Sequence, residues 1–426
     1  MSMPWITSTP DHWQKLRAKN MFIKQNRAVR EEDEVVTCFR DGTVTLRKNR
    51  RTTGFTESIQ WSGYQGVRRG DLVIHVMDAF AGAIGVSDSD GKSTPVYNVC
   101  TAKIDINNNY YAYLLREMAR TGFIQSLYRG IRERSSDFRF EVFAGLFLPL
   151  PPREEQDQIV RYLDWKVSQI NKLINAKRRQ IELLQEQIGV LTNQAITNTQ
   201  SKMRLKHMVE VVRNWIVRDN ESTYSPVGVL NRGRGIFHKD KLQGVDLGSS
   251  EFFEVESNTL MFSGQFAWEG AVALTTEREK ICIASHRYYT VRGLDGICKN
   301  EYLWAFFRTK LGDLILNKCS HGAAGRNKPL NFNELLNEYI LIPSVSIQEE
   351  IAHQVHMYME YGALVKSFEI LAIEYRTSLI SDVVTGKLDV SSVVVPEYEA
   401  VEKKVTYIEL PETLDETKTE KVGVEP

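Results

Sequence analysis

The stretch "LPLPPREEQDQI", residues 148–159, passes from strand-like apolar residues through two prolines into an acidic helix start. Proline fits the first turn of a helix and Glu complements the helix N-terminus, so a strand must end and a helix begin here. The same transition recurs at 340–351 as "ILIPSVSIQEEI". Leu150, Pro151, Gln156 and Ile159 face Ile342, Pro343, Gln348 and Ile351, a shift of 343 − 151 = 192. Upstream, "DAFAGAIGV" from Asp78 lies against "FAWEGAVAL" from Phe266, and "TPVYNV" from Thr94 against "SHRYYT" from Ser285. "RSSDFRF" from Arg134 matches "RNKPLNF" from Arg326, and "LRAKNMF" from Leu16 matches "MRLKHMV" from Met203. Their common order makes the chain a tandem duplication of a unit of about 190 residues.

Each copy has two parts. In the first, short β-branched and aromatic runs such as "VVTCF", "DLVIHV" and "VYNVCTAKI", or "PVGVL", "GAVAL" and "YYTV", are broken by Gly and Asn and followed by a helical stretch. This composition predicts a mixed α/β domain, over residues 1–150 and again over 201–341. The second part, over 151–200 and 342–390, is a long helix-forming run. In the first copy Leu163, Val167, Ile170, Ile174, Lys177, Ile181, Leu184, Ile188, Leu191 and Ala195 stand alternately four and three apart, a heptad seam with one polar interruption. In the second, Tyr361, Leu364, Phe368, Leu371, Tyr375, Leu379 and Val383 give a less regular stripe, weakened by Gly362. So long a helix needs its seam covered, and the other copy is the nearest partner. The segment 391–426, rich in proline and charge and without periodicity, reads as a disordered acidic tail.

Composition excludes several classes. Lys plus Arg and Asp plus Glu both number 54, so the whole chain has no net charge to draw a polyanion. Residues 11–148 and 201–339 are nevertheless mildly basic and the C-terminal end acidic, which leaves room for a nucleic-acid surface in each mixed domain. The five cysteines are widely spaced without C-x-x-C, so neither a disulfide framework nor a zinc cluster is indicated, and a reducing cytoplasm is expected. No apolar run approaches the roughly 20 residues of a membrane span, and Met1–Pro10 lacks the features of a signal peptide, so a soluble, unexported protein is expected.

No catalytic constellation emerges. "GVSDSDGKS" from Gly85 has one residue too many for a phosphate loop and places Asp88 and Asp90 where they would repel phosphate; a polar hairpin tip is the expectation. His353 and His356 lack the frame of a metal site. What remains is basic residues beside turns. Arg40, Arg47, Lys48, Arg50 and Arg51 surround a predicted Asp41-Gly42 hairpin, followed by Arg68 and Arg69; Arg232, Arg234, Lys239 and Lys241 cluster at a similar place in the second copy. A solvated basic rim accounts for one such cluster as well as DNA does. Two at equivalent places favour contact with phosphates and base edges.

This layout resembles the specificity subunit of type I restriction-modification enzymes over residues 1 to about 390. The resemblance rests on a mixed domain running into "LFLPLPPREEQDQIVRYLDWKVSQINKLI", a second ending in "NEYILIPSVSIQEEIAHQV", and the close "SLISDVVTGKLDV". It implies an α+β chain with two target-recognition domains, each reading half of a bipartite DNA sequence. It also implies that the helices pair as an antiparallel coiled coil that sets the spacing and docks partners. Such a subunit does no chemistry. Two modification subunits bind S-adenosylmethionine and methylate adenine at N6, and restriction subunits supply ATP- and Mg-dependent translocation and cleavage. The rival expectation is a helical adaptor that binds other proteins without reading DNA.

Overall fold

In the computed structural model the described residues are 3–6, 8–50, 63–127, 138–322 and 328–399. They form two compact units. The described residues up to 175 join 369–399 in the first, and those between 176 and 368 make the second. The long helices are therefore not separate bodies: Arg153–Asn198 and Val345–Val384 each contribute one end to either unit.

The duplication holds through the main sheet of each unit. In the first unit an antiparallel sheet runs Phe22–Lys24, Tyr97–Ala102, Leu72–His75, Ile84–Val86. The second repeats the order with Val209–Val211, Tyr288–Gly293, Leu260–Ser263 and Val272–Leu274. Each unit is closed by a two-stranded ribbon between its beginning and the residues before its proline, Gln14–Arg17 with Phe147–Leu150 and Lys202–Arg204 with Tyr339–Leu341.

The repeated glutamine explains why the motif recurs. Gln156 and Gln348 are fully buried. The Gln156 amide donates to Pro151 O at 2.8 Å and accepts from Asn107 N at 2.8 Å; Gln348 donates to Pro343 O at 3.0 Å and accepts from Lys299 N at 2.9 Å. Each thus joins the proline before a long helix to the start of its unit's domain helix. Burying an amide is tolerable only when both its ends are satisfied, as they are here.

Within each unit the two long helices run antiparallel. In the first, Ile159 and Leu163 share a core with Leu379 and Val383, and Arg376 Nη1 donates to Asn171 Oδ1 at 2.9 Å. In the second, Ile188 shares a core with Val355, while Lys177 Nζ donates to Tyr361 Oη at 3.1 Å. That bond accounts for the polar interruption in the first helix's seam. Leu163, Val167, Ile174 and Ile188 are buried there, with Ile170, Ile181, Leu184 and Leu191 partly so.

The second helix departs from expectation. Leu364, Leu371 and Tyr375 are 67%, 64% and 58% exposed, and Phe368 is only partly buried. The covered stripe lies one residue further on, through Val355, Tyr358, Gly362, Val365, Glu369, Ala372, Arg376, Leu379 and Val383, spaced three and four throughout. Apolarity alone selected the wrong face, because the true seam carries a glycine, a glutamate and an arginine.

Two further differences concern segments. Ser87–Asp90 does not tip a hairpin: Ile84–Val86 pairs with Leu72–Ile74, while Gly91–Ser93 pairs with Gln65–Val67, so the turn links two sheets. At the start of the C-terminal segment, Val393 and Val395 pack on the first unit's core, and Gln158 Nε2 donates to Val390 O and Val393 O; residues 400–426 lie outside the described residues.

Candidate nucleic-acid interface

In the first unit the basic residues gather on the hairpin of Val36–Cys38 and Val44–Leu46. Its turn closes with Phe39 N on Thr43 O at 2.8 Å and needs Gly42 at φ +84°, which glycine adopts without a Cβ penalty. Asp41 fixes the turn by accepting from Thr43 N at 2.9 Å and from Arg50 at 2.7 Å. Burial alone would raise the Asp41 pKa, but the Thr43 N–H and the Arg50 guanidinium more than offset this and hold it below 3.8.

The candidate residues divide by what already holds them. Arg68 is 16% exposed and bonds both Asp33 oxygens, at 3.0 and 3.1 Å, with Gly91 O at 3.1 Å. It is a structural cation. Arg50 lies over the Phe39 ring at 4.6 Å besides holding Asp41, and the half-buried Arg47 donates to Thr37 Oγ1. Arg40 and Lys48 are exposed and pair only at the surface, with Asp78 and Glu34, where screening leaves little net energy. Arg69 is exposed and, among the described residues, only its backbone N is engaged, on Asp90. Arg51 lies outside the described residues.

In the second unit the loop before the strand Ile236–His238 carries the cluster. Arg232 has φ +54°, Gly233 +63° and Gly235 +95°. Arg232 N donates to Glu269 O at 2.7 Å and Gly233 N to Gly270 O at 2.9 Å, and Asn231 ties the Glu269 carboxylate at 2.7 Å. The backbone is thus held tightly while the Arg232 side chain is exposed and without an ion pair among the described residues. Arg234 folds back on Asn231 Oδ1 at 2.5 Å; Lys239 and Lys241 are exposed on the strand end beyond.

Sequence reading missed a neighbouring group in this unit. Arg213 stacks on Tyr289 at 4.5 Å and Trp215 at 5.5 Å, and the half-exposed Trp215 lines a cavity of about 390 Å³ with Arg218, Ser250 and Glu251. It offers an aromatic face beside charged groups, but its members follow no local spacing that would mark them. Among the described residues one group of metal-ligand types also comes together, Cys319, Glu334 and Glu338, where the sequence indicated none. Its carboxylates are engaged, Glu334 with His321 at 2.8 Å and Glu338 with Lys318 at 2.7 Å. His356 pairs with Glu301 at 3.0 Å. No described helix is long and apolar enough to cross a membrane.

No protein-family model matches the sequence, and no curated protein matches it. Solved structures do. A chain from a structure bearing on complex assembly and conformational transition of the type I R-M system superposes with a TM-score of 0.60 at 12% identity, over 90% of this chain and 100% of that one. The type I restriction-modification S subunit from M. genitalium gives 0.50 at 11% identity, over 90% of this chain and 99% of its own. At such identities the likeness is one of fold. It is to the same family that the residue pattern resembles.

Proposed function

We propose that this chain is the DNA sequence-specificity subunit of a type I restriction-modification system, each unit reading one half of a bipartite target. The observation that carries the reading is the recurrence, in two units of one fold, of a basic turn seated against a short helical turn that ends in a left-handed glycine, Gly82 in one unit and Gly270 in the other. In this reading Arg40, Lys48, Arg69, Arg232, Arg234, Lys239 and Lys241 meet phosphates and base edges, whereas Arg68 and Arg50 hold the turns' surroundings.

The paired helices set the spacing between half-sites and dock partner subunits. The exposed stripe of Leu364, Leu371 and Tyr375 supports docking, as does a groove of about 630 Å³ lined by Leu183, Leu184, Met357 and Tyr361. The chain itself does no chemistry and binds no cofactor. Two modification subunits bring S-adenosylmethionine for adenine N6 methylation, restriction subunits bring ATP and Mg, and the assembly works in the cytoplasm.

Purified chain should methylate nothing alone and should direct methylation to one bipartite sequence once mixed with a separate methyltransferase subunit and S-adenosylmethionine. Binding to duplex DNA should fall with salt on a log–log slope set by the phosphates contacted. Methylation by the chain alone would sink the reading, and salt-independent behaviour with no DNA bound would return the chain to the adaptor class.

A further inference from the structure

In both units the basic turn is pressed between the same two features. On one side is the short helical turn Ala79–Ala81 or Ala267–Glu269, the "AFAG" and "AWEG" stretches whose repetition the sequence displays. A Cβ on Gly82 would stand 2.9 Å from Arg40 O, and one on Gly270 would stand 3.6 Å from Arg232 Cα. On the other side is an arginine of the domain helix, Arg116 within Asn108–Arg120 and Arg308 just after Asn300–Phe307. These two are 308 − 116 = 192 apart, the shift that relates Gln156 to Gln348.

The Arg116 guanidinium occupies the place a side chain would take on Gly42: a Cβ there would meet Nη1 at 2.5 Å. Arg308 fills the same place against Gly233, donates from Nη1 to Gly233 O at 2.6 Å, and lies over the Trp304 ring at 4.4 Å. Neither arginine makes an ion pair among the described residues. Burial lowers the Arg308 pKa, a cost that a carboxylate would normally offset. Two half-buried guanidinium groups thus rest on turn backbone at equivalent sites. A planar guanidinium can lie flat against a glycine in a way a lysine ammonium cannot. Arg232, a non-glycine residue at φ +54°, persists in that conformation only because its surroundings over-determine it.

We infer that Arg116 and Arg308 are positioning residues, each fixing the backbone of its unit's basic turn and so deciding which base edge or phosphate the exposed Arg40 or Arg232 reaches. The inference rests on the proposed DNA reading. Neither arginine need touch DNA, so it governs discrimination at one half-site and leaves the phosphate count unchanged.

The test uses the full chain assembled with its methyltransferase partner on a randomised duplex library, with Arg308→Met, Arg308→Lys and Arg116→Met. Arg308→Met should lower discrimination about tenfold at bases of the half-site read by the second unit, the size of one misplaced base contact. It should spare the other half and keep the salt slope. Arg116→Met should do the converse, and Arg308→Lys, which keeps the charge without the plane, should not rescue. Equal loss at both halves, a slope flattened by about one as for a direct phosphate contact, or unchanged discrimination would each overturn the inference. Should Arg308→Met fail to fold, Arg116→Met carries the test, and failure of both to fold would make these arginines core residues and overturn it too. If the parent chain directs no sequence-specific methylation, the DNA reading fails. If the parent does and the variants match it, only this inference fails.

Discussion

Arg68 and Arg232 both lie among basic residues near a turn, and nothing local in the sequence separates them. The structure gives Arg68 a buried carboxylate, Asp33, and gives Arg232 a left-handed backbone with an exposed side chain. Their substitutions should therefore part company. Arg68→Met strands Asp33 and should cost about 3 kcal/mol or more in chemical denaturation, as breaking one side of a buried pair does. Arg232→Gly keeps the φ that glycine prefers and relieves strain of roughly 1 kcal/mol, so stability should hold or rise. DNA affinity should nevertheless fall, with the salt slope flatter by about one if Arg232 meets a phosphate. Equal stability loss in the two variants would show that Arg232 is structural as well.

Among elements, the second long helix is the sharpest case. Its most apolar stripe faces out, and its covered stripe holds Gly362, Glu369 and Arg376. Gly362 stands 3.9 Å, at its missing Cβ, from Ile181 Cδ1, and Arg376 meets Asn171, so the seam is completed by small and polar partners rather than by leucines. Adjacent substitutions separate the two registers. Val365→Asp, at a position 6% exposed, should destabilise by about 3 kcal/mol or more, whereas Leu364→Asp should stay within about 0.5 kcal/mol in the isolated chain. The reverse order would restore the register through Leu364 and Leu371. Leu364→Asp should still weaken association with the methyltransferase subunit if the exposed stripe is a docking face.

For the whole molecule, duplication predicts modular reading. Ala18 N bonds Leu146 O where the ribbon of Gln14–Arg17 and Phe147–Leu150 closes the first unit. Exchanging residues 18–146 for the corresponding domain of another protein of this fold therefore leaves ribbon, proline and long helix intact. Methylation mapping should find one half-sequence changed and the other kept. A change in both halves would mean that the units do not read independently.

The sequence by itself determined the duplication, the mixed class of each domain, both long helices, and the recurrence of a glutamine at the start of each. These are properties of order and of local pattern. A proline stop and a 3.6-residue period act within a few residues of themselves, and two copies of each reinforce the reading. That these glutamines anchor the helices came from the structure. Tertiary structure alone decided which face of the second helix is buried, because a polar seam is stable only when a particular partner satisfies it, as Asn171 does for Arg376. It also decided which basic residues are free. Arg68 is spent on Asp33, 35 positions away in the chain, and Gly233 owes its place to Arg308, 75 positions away; no local period records contacts at such separations.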